Sequence, residues 1–236
     1  MKIRFARLGI HCILVSLFLQ PMWISHTHAQ APANRVTIKV GIPNALPGFE
    51  VNDKGELIIS DPQKKKFSLC IEKQLKANMV WSAYPTARVE SMLIKKEFDL
   101  IFPFQLTQER KNHMLASTYA WKSTTYFLAT KNIDVHDKNI RVGVRVNSPE
   151  HLDMLKKGYT KISTPYDFAS LSRMLTQHLI DIAVVPEIVF NELKDQWPKD
   201  INITHGQTRE AGYFLHKDDP KQLFSKLNAA ISHCRF

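Results

Sequence analysis

The stretch Phe98-Asp99-Leu100-Ile101-Phe102-Pro103-Phe104-Gln105-Leu106-Thr107-Gln108-Glu109-Arg110 decides how this chain reads. Phe98 to Phe102 is a short apolar run carrying a single acid, and Pro103 ends it, the pattern of a buried strand. Before it, Thr86 to Lys96 places Val89, Met92 and Leu93 at helical spacing. Further back, Met79 to Trp81 reads as a short strand and Phe67 to Lys76 as a helix. Val36, Ile38 and Val40 alternate as a half-buried strand, followed by a loop from Asn44 to Gly55. The alternation β-loop-α-β-α-β implies a largely parallel sheet covered by helices.

The pattern recurs downstream. Ile140 to Val146 reads as a strand, and Ser148-Pro149-Glu150 as a helix start with Ser as N-cap. Asp167 to His178 is helical, Asp181 to Val185 is a buried strand, and Asp219-Pro220 opens a last helix through Ile231. Thr124 to Thr130 and the strand around Tyr213-Phe214-Leu215 are candidate crossing segments between two α/β lobes. The expected division is residues 30–127 with a return at 209–236 for the first lobe, and 128–208 for the second.

The charge balance needs correcting before it is used. The 236 residues carry 32 Lys+Arg against 22 Asp+Glu, a formal charge of +10. Lys2, Arg4 and Arg7, the apolar run Leu8 to Leu19, Pro21 and Thr27-His28-Ala29 have the layout of a secretory signal peptide cut after Ala29. Without it, 207 residues remain at +7, because the leader holds three basic residues and no acids. The apolar core is about a dozen residues, short of the ~20 that a membrane-spanning helix needs, so no stable membrane insertion is expected. Lys64-Lys65-Lys66 is the one dense basic run, with no aromatic interleaving, which speaks against nucleic acid.

Cys70 and Cys234 remain after processing, in an oxidising compartment where two leftover thiols often pair. Two buried free thiols are the alternative. The scattered histidines include no His-x-x-x-His pair, so no metal and no cofactor are expected.

In open α/β sheets, ligands bind beyond the carboxyl ends of strands. Those positions carry Phe49, the Phe104-Gln105 loop running to Arg110, the helix start at Asn147-Ser148, and Glu187. An arginine fork suits a carboxylate; the competing reading of Arg110 is an ion pair with a nearby acid. Tyr84 is a candidate to stack a ligand, and Arg88 sits on the solvent or cleft side of its helix.

The chain resembles periplasmic solute-binding proteins of the polar amino acid class, with a type II periplasmic-binding fold. The resemblance rests on Val40-Gly41, Pro47-Gly48-Phe49, Gly55-Glu56-Leu57, Thr107-Gln108-Glu109-Arg110, Arg141-Val142-Gly143-Val144 and Ile180-Asp181-Ile182-Ala183-Val184, in that order. It implies mixed sheets with helices on both faces and two crossing strands as a hinge. It also implies a monomeric, periplasmic, non-enzymatic receptor serving an ABC-type permease or a membrane sensor, with Arg110 on the carboxylate of a small solute. The family's stacking aromatic falls near Leu46 here, and its ammonium-binding acid near Pro186, with Glu187 as a displaced substitute. Tyr84-Pro85-x-x-Arg88 resembles a subgroup of the family. Two other readings remain: an enzyme on the same scaffold, dehydratase-like and acting on a small carboxylic acid with Glu187 as general acid, or an accessory module that binds a protein.

Overall fold

A computed structural model describes residues 35–235. The leader and its cleavage site after Ala29 lie outside the described residues. In chain order the elements are β1 (Val36–Pro43), β2 (Phe49–Val51), β3 (Leu57–Ile59), α1 (Pro62–Leu75), β4 (Ala77–Tyr84), α2 (Thr86–Ile94), β5 (Leu100–Gln105), α3 (Gln108–His113) and β6 (Leu115–Ala129). There follow β7 (Val142–Val144), α4 (Pro149–Lys156), β8 (Ile162–Ser163), α5 (Phe168–Thr176), β9 (Ile182–Pro186), α6 (Glu187–Glu192), β10 (Asn202–Leu215) and α7 (Leu223–Cys234).

Eight strands form one mixed sheet in the order β4-β1-β5-β10-β6-β9-β7-β8, and β2 pairs with β3 as a separate hairpin. Strand β1 is parallel to β4 and β5, and β7 is parallel to β8 and β9. Between these two parallel triplets run the long antiparallel strands β6 and β10. Strand β10 pairs with β5 through Ala211–Leu215, whereas β6 pairs with β9 through Thr125–Leu128. Each long strand therefore belongs to both halves, and the β6/β10 ladder shifts register between His205 and Thr208, midway along.

Helices cover both faces of each half. In the first half, Phe67 and Ile71 of α1 and Leu227 and Ile231 of α7 bury against Ile38, Val40 and Ile42 of β1. On its other face, Val89 and Leu93 of α2 meet Phe98, Ile101 and Phe214. In the second half, Met154 of α4 packs on Val142, Val144 and Ile182, and Leu171 and Leu175 of α5 pack on Ala183, Val185 and Leu128. Full burial of each such side chain stabilises by roughly 1.5–3 kcal/mol. The cystine joins α1 to α7, with Cys70 and Cys234 bonded at a Cα separation of 5.8 Å.

Several boundaries differ from the sequence reading. Pro103 does not end its strand: β5 runs to Gln105 because pairing with β1 stops at Ile101, so the missing N–H costs no bond on that side. On the other side β10 shifts register between Gly212 and Phe214, leaving Phe102 and Pro103 opposite Tyr213 alone. Strand β4 is far longer than Met79–Trp81, because all eight of its residues pair with β1. Strand β7 is shorter than Ile140–Val146, being paired only over Val142–Val144. Helix α1 starts earlier, at Pro62, since the Asp61 side chain caps the amides of Gln63 and Lys64. The last helix starts later, because the Asp219 carboxylate receives the N–H groups of Leu223 and Phe224.

Among the described residues, no helix is long and apolar enough to cross a membrane, and no group of His, Cys, Asp and Glu is arranged to hold a metal ion.

Candidate functional site

The carboxyl ends of β1, β5, β7 and β9 point into the junction between the two halves, and the loops that follow them meet there. The meeting is polar. Gln105 Nε2 donates to Glu150 Oε1 at 2.6 Å, and Arg145 Nη2 donates to Thr86 Oγ1 at 3.5 Å. Tyr166 Oη donates to Asn44 Oδ1 at 3.5 Å, and Ser60 Oγ to Glu192 Oε2 at 2.8 Å. Among the described residues, only Leu46 and Ile188 make partly buried apolar contacts with cores of both halves.

Arg110 faces this junction from the short helix α3, positioned by the Thr107 side chain at its N-cap. Glu90 Oε1 accepts from its Nε at 3.0 Å and its Nη2 at 2.8 Å, and the Gln105 carbonyl accepts from Nη1 at 3.2 Å. The Phe104 ring lies 5.0 Å from the guanidinium carbon. The ion-pair reading of Arg110 is thus realised, with Glu90 on α2 as the partner in place of the adjacent Glu109.

Arg145 reaches the junction from the second half, directly after β7. Its guanidinium carbon lies 5.1 Å from the Phe168 ring, and its Nε is buried without a partner among the described residues. Burial is the main influence lowering its proton affinity; Glu150 opposes this, and the positive charge of Arg110 adds to it. An arginine stays protonated in proteins, so the shift marks a cation short of partners. Glu150 is 2% exposed and bonded by Gln105, whose own Oε1 is buried without a donor. Arg209 of β10 forms an ion pair with Asp153 of α4, and its Nε has no partner among the described residues. Between Arg110 and Arg209 opens a cavity of about 600 Å³, lined also by Glu90, His113, Asn147 and Asp153, whereas Arg145, Gln105 and Glu150 do not line it.

The other expected site residues are dispersed. Phe49 is 3% exposed in the first half's core, stacked 6.1 Å from Trp121, and Phe104 is equally buried in the opposite cluster. Neither offers a free ring face, because strand residues beside a junction fill the core first. Tyr84 and Arg88 stack on each other at 4.5 Å, with Arg88 exposed. Ser148 is buried and caps α4 by accepting from His151 N–H, while Asn147 N–H donates to His151 Nδ1. That helix start is satisfied from within. Glu187 accepts from Thr124 N–H at 3.3 Å, and after burial it is the carboxylate that raises the Tyr126 phenol's pKa. It lines a separate cavity of about 390 Å³ with Lys64, Trp121, Lys122 and Arg235.

Arg145, Glu150 and Glu90 went unnoticed in the sequence. Arg145 was hidden because the sequence pattern carries the strand on to Val146, whereas β7 ends at Val144; Glu150 read as an ordinary first-turn acid, and Glu90 as one polar residue of an amphipathic helix.

The architecture defined by these parallel triplets and crossing strands is that of type II periplasmic binding proteins. No protein-family model and no curated protein sequence matches the chain. Solved structures do match. An ancestral arginine-binding protein bound to arginine superposes with a TM-score of 0.70 at 19% identity, covering 84% of this chain and 92% of that one. An ABC uptake transporter substrate binding protein from Streptococcus pneumoniae with bound histidine gives 0.70 at 18%, covering 84% and 86%. A histidine kinase sensor domain with similarity to periplasmic binding proteins gives 0.73 at 13%, covering 85% and 91%. At such identities the likeness is one of fold.

Proposed function

We propose that the protein is an exported, periplasmic receptor that captures a small carboxylate-bearing solute between its two halves and delivers it to an ABC-type importer or a membrane sensor. The observation that carries this reading is the polar character of the junction. Interfaces meant to stay closed are apolar, whereas surfaces that part and rejoin carry hydrogen bonds and charges that water satisfies equally well when they open. Gln105–Glu150 and Ser60–Glu192 have that character. Strands β6 and β10 then act as the hinge, and closure buries the solute and selects the closed state. The lobes so defined are residues 30–127 with 209–236, and 128–208. Solved proteins of this fold that hold arginine and histidine support an amino acid-like solute.

The test is a thermal-shift screen of the whole chain against the twenty L-amino acids and small carboxylates. At least one should raise Tm progressively with concentration, as mass action requires. The responding compound should be recovered chemically unchanged, which separates a receptor from a dehydratase. No response from any compound, or consumption of the responder, overturns the reading.

A further inference from the structure

The arginines around the junction are not equally provided for. Arg110 has Glu90 and the Gln105 carbonyl, and Arg209 has Asp153. Arg145 has no ion pair among the described residues, its Nε is unmet, and its one hydrogen bond, to Thr86, is 3.5 Å long. Glu150 acts on it electrostatically without pairing with it. A guanidinium withdrawn from water without a carboxylate is costly to keep. The cost falls where the two halves meet, above the Phe168 ring and within the field of Glu150, the carboxylate that also accepts from Gln105, whose own Oε1 is an unmet buried acceptor.

We infer that Arg145, not Arg110, is the cation that reads the solute's carboxylate. Arg110 is a strut, its Nε and Nη2 both given to Glu90 Oε1 and its Nη1 to the Gln105 carbonyl. This inference rests on the receptor reading and names the residue that would do its work. The unused edge of Arg145 matches a carboxylate, and Gln105 Oε1 calls for an N–H or O–H on the same molecule. Because Arg145 belongs to the second half and Gln105 to the first, one solute satisfying both draws the halves together. Binding and closure become one event.

The test uses the whole chain, with acetate, succinate, glutamate, glutamine, arginine, histidine and inorganic phosphate as probes in titration calorimetry and thermal shift. For the carboxylate that binds wild type best, Arg145→Met should weaken binding by about tenfold or more. Its ligand-free Tm should equal or exceed wild type, since a poorly partnered buried cation is gone. A merely structural arginine would lower Tm instead. Arg145→Lys keeps the charge without the fork and should bind with intermediate affinity. Arg110→Gln should lower the ligand-free Tm yet retain the carboxylate response.

Wild-type affinity in Arg145→Met, or in a folded Arg145→Lys should the Met variant fail to fold, overturns the inference while leaving the receptor reading intact. So does loss of binding in a folded Arg110→Gln alone. Tighter binding of phosphate than of any carboxylate overturns the ligand class. Silence from wild type toward every compound here and in the wider screen overturns both readings together.

Discussion

The two halves of the sheet are built on one plan and secured differently. In the first, β1 is central, and its Lys39 N–H donates to the Asp99 carboxylate at 2.8 Å just before β5. In the second, β7 is central, and Arg141 N–H donates to Asp181 at 2.7 Å just before β9. Each central strand carries a glycine under an apolar side chain from that same approach. A Cβ on Gly41 would stand 2.5 Å from the Phe98 ring, and one on Gly143 would stand 2.4 Å from Ile180. Beyond this common plan they diverge. The first half has a cystine and an aromatic stack of Phe67, Phe102, Trp121 and Tyr213. The second relies on strands of two, three and five residues and a mostly aliphatic core. The first half is the more heavily braced, and under the receptor reading proposed above it would serve as the platform and the second half as a lighter jaw.

Cutting the cystine is the harshest way to break this contrast. With the two cysteines 164 positions apart, chain entropy puts the loss from a paired Cys70→Ser, Cys234→Ser variant at about 5 kcal/mol. Hydrogen exchange should rise across α1 and α7 and stay unchanged in α4 and α5. Equal loosening of both halves would mean that they do not behave as platform and jaw.

A gentler change sharpens it. Tyr213 lies fully buried, its ring 3.9 Å from that of Phe102, and its hydroxyl has no partner among the described residues. Burial, helped by the charge of Glu72, drives its pKa far up, so it is never ionised. Tyr213→Phe keeps the stack and removes the stranded hydroxyl, and it should raise stability by about 1 kcal/mol in a denaturant titration.

The smallest effect is expected in the second half. The hydrogen bond from Arg141, ahead of partial burial that opposes it, holds the Asp181 pKa below its usual 3.8. A depressed folded-state pKa means that the contribution is present above the unfolded value and disappears as pH falls through the folded one. Asp181→Asn should therefore lower Tm slightly at pH 7, and the gap from wild type should close below pH ~3.8.

The β/α alternation and one end of each crossing strand, Thr124–Thr130 and Tyr213–Leu215, were legible because buried strands and amphipathic helices write themselves as local periodicities; the remaining lengths of β6 and β10, mostly half-exposed or exposed, were not. The strand through Pro103 was not, since what tolerates that proline is the shift of β10 opposite, over a hundred residues away. The site was legible in location and not in wiring. Gln105 and Arg110 were identifiable as residues beyond a strand end, but Glu90, which occupies Arg110, and Glu150, which holds Gln105, come from helix faces that tertiary packing alone brings there. Phe49 and Phe104 looked like ligand-facing rings because sequence does not tell which side of a strand end a ring takes.

The return of α7 to the first half has a consequence for the order of assembly. Leu223, Leu227, Ala230 and Ile231 complete a core whose other members begin at Ile38. The platform therefore closes only across a very long loop, whereas the jaw's three short strands and three helices lie between Val142 and Glu192. Loops closed over short separations form first. The weaker half should be the earlier to take shape, with the sturdier one sealed last, when the final helix docks and its cysteine finds Cys70.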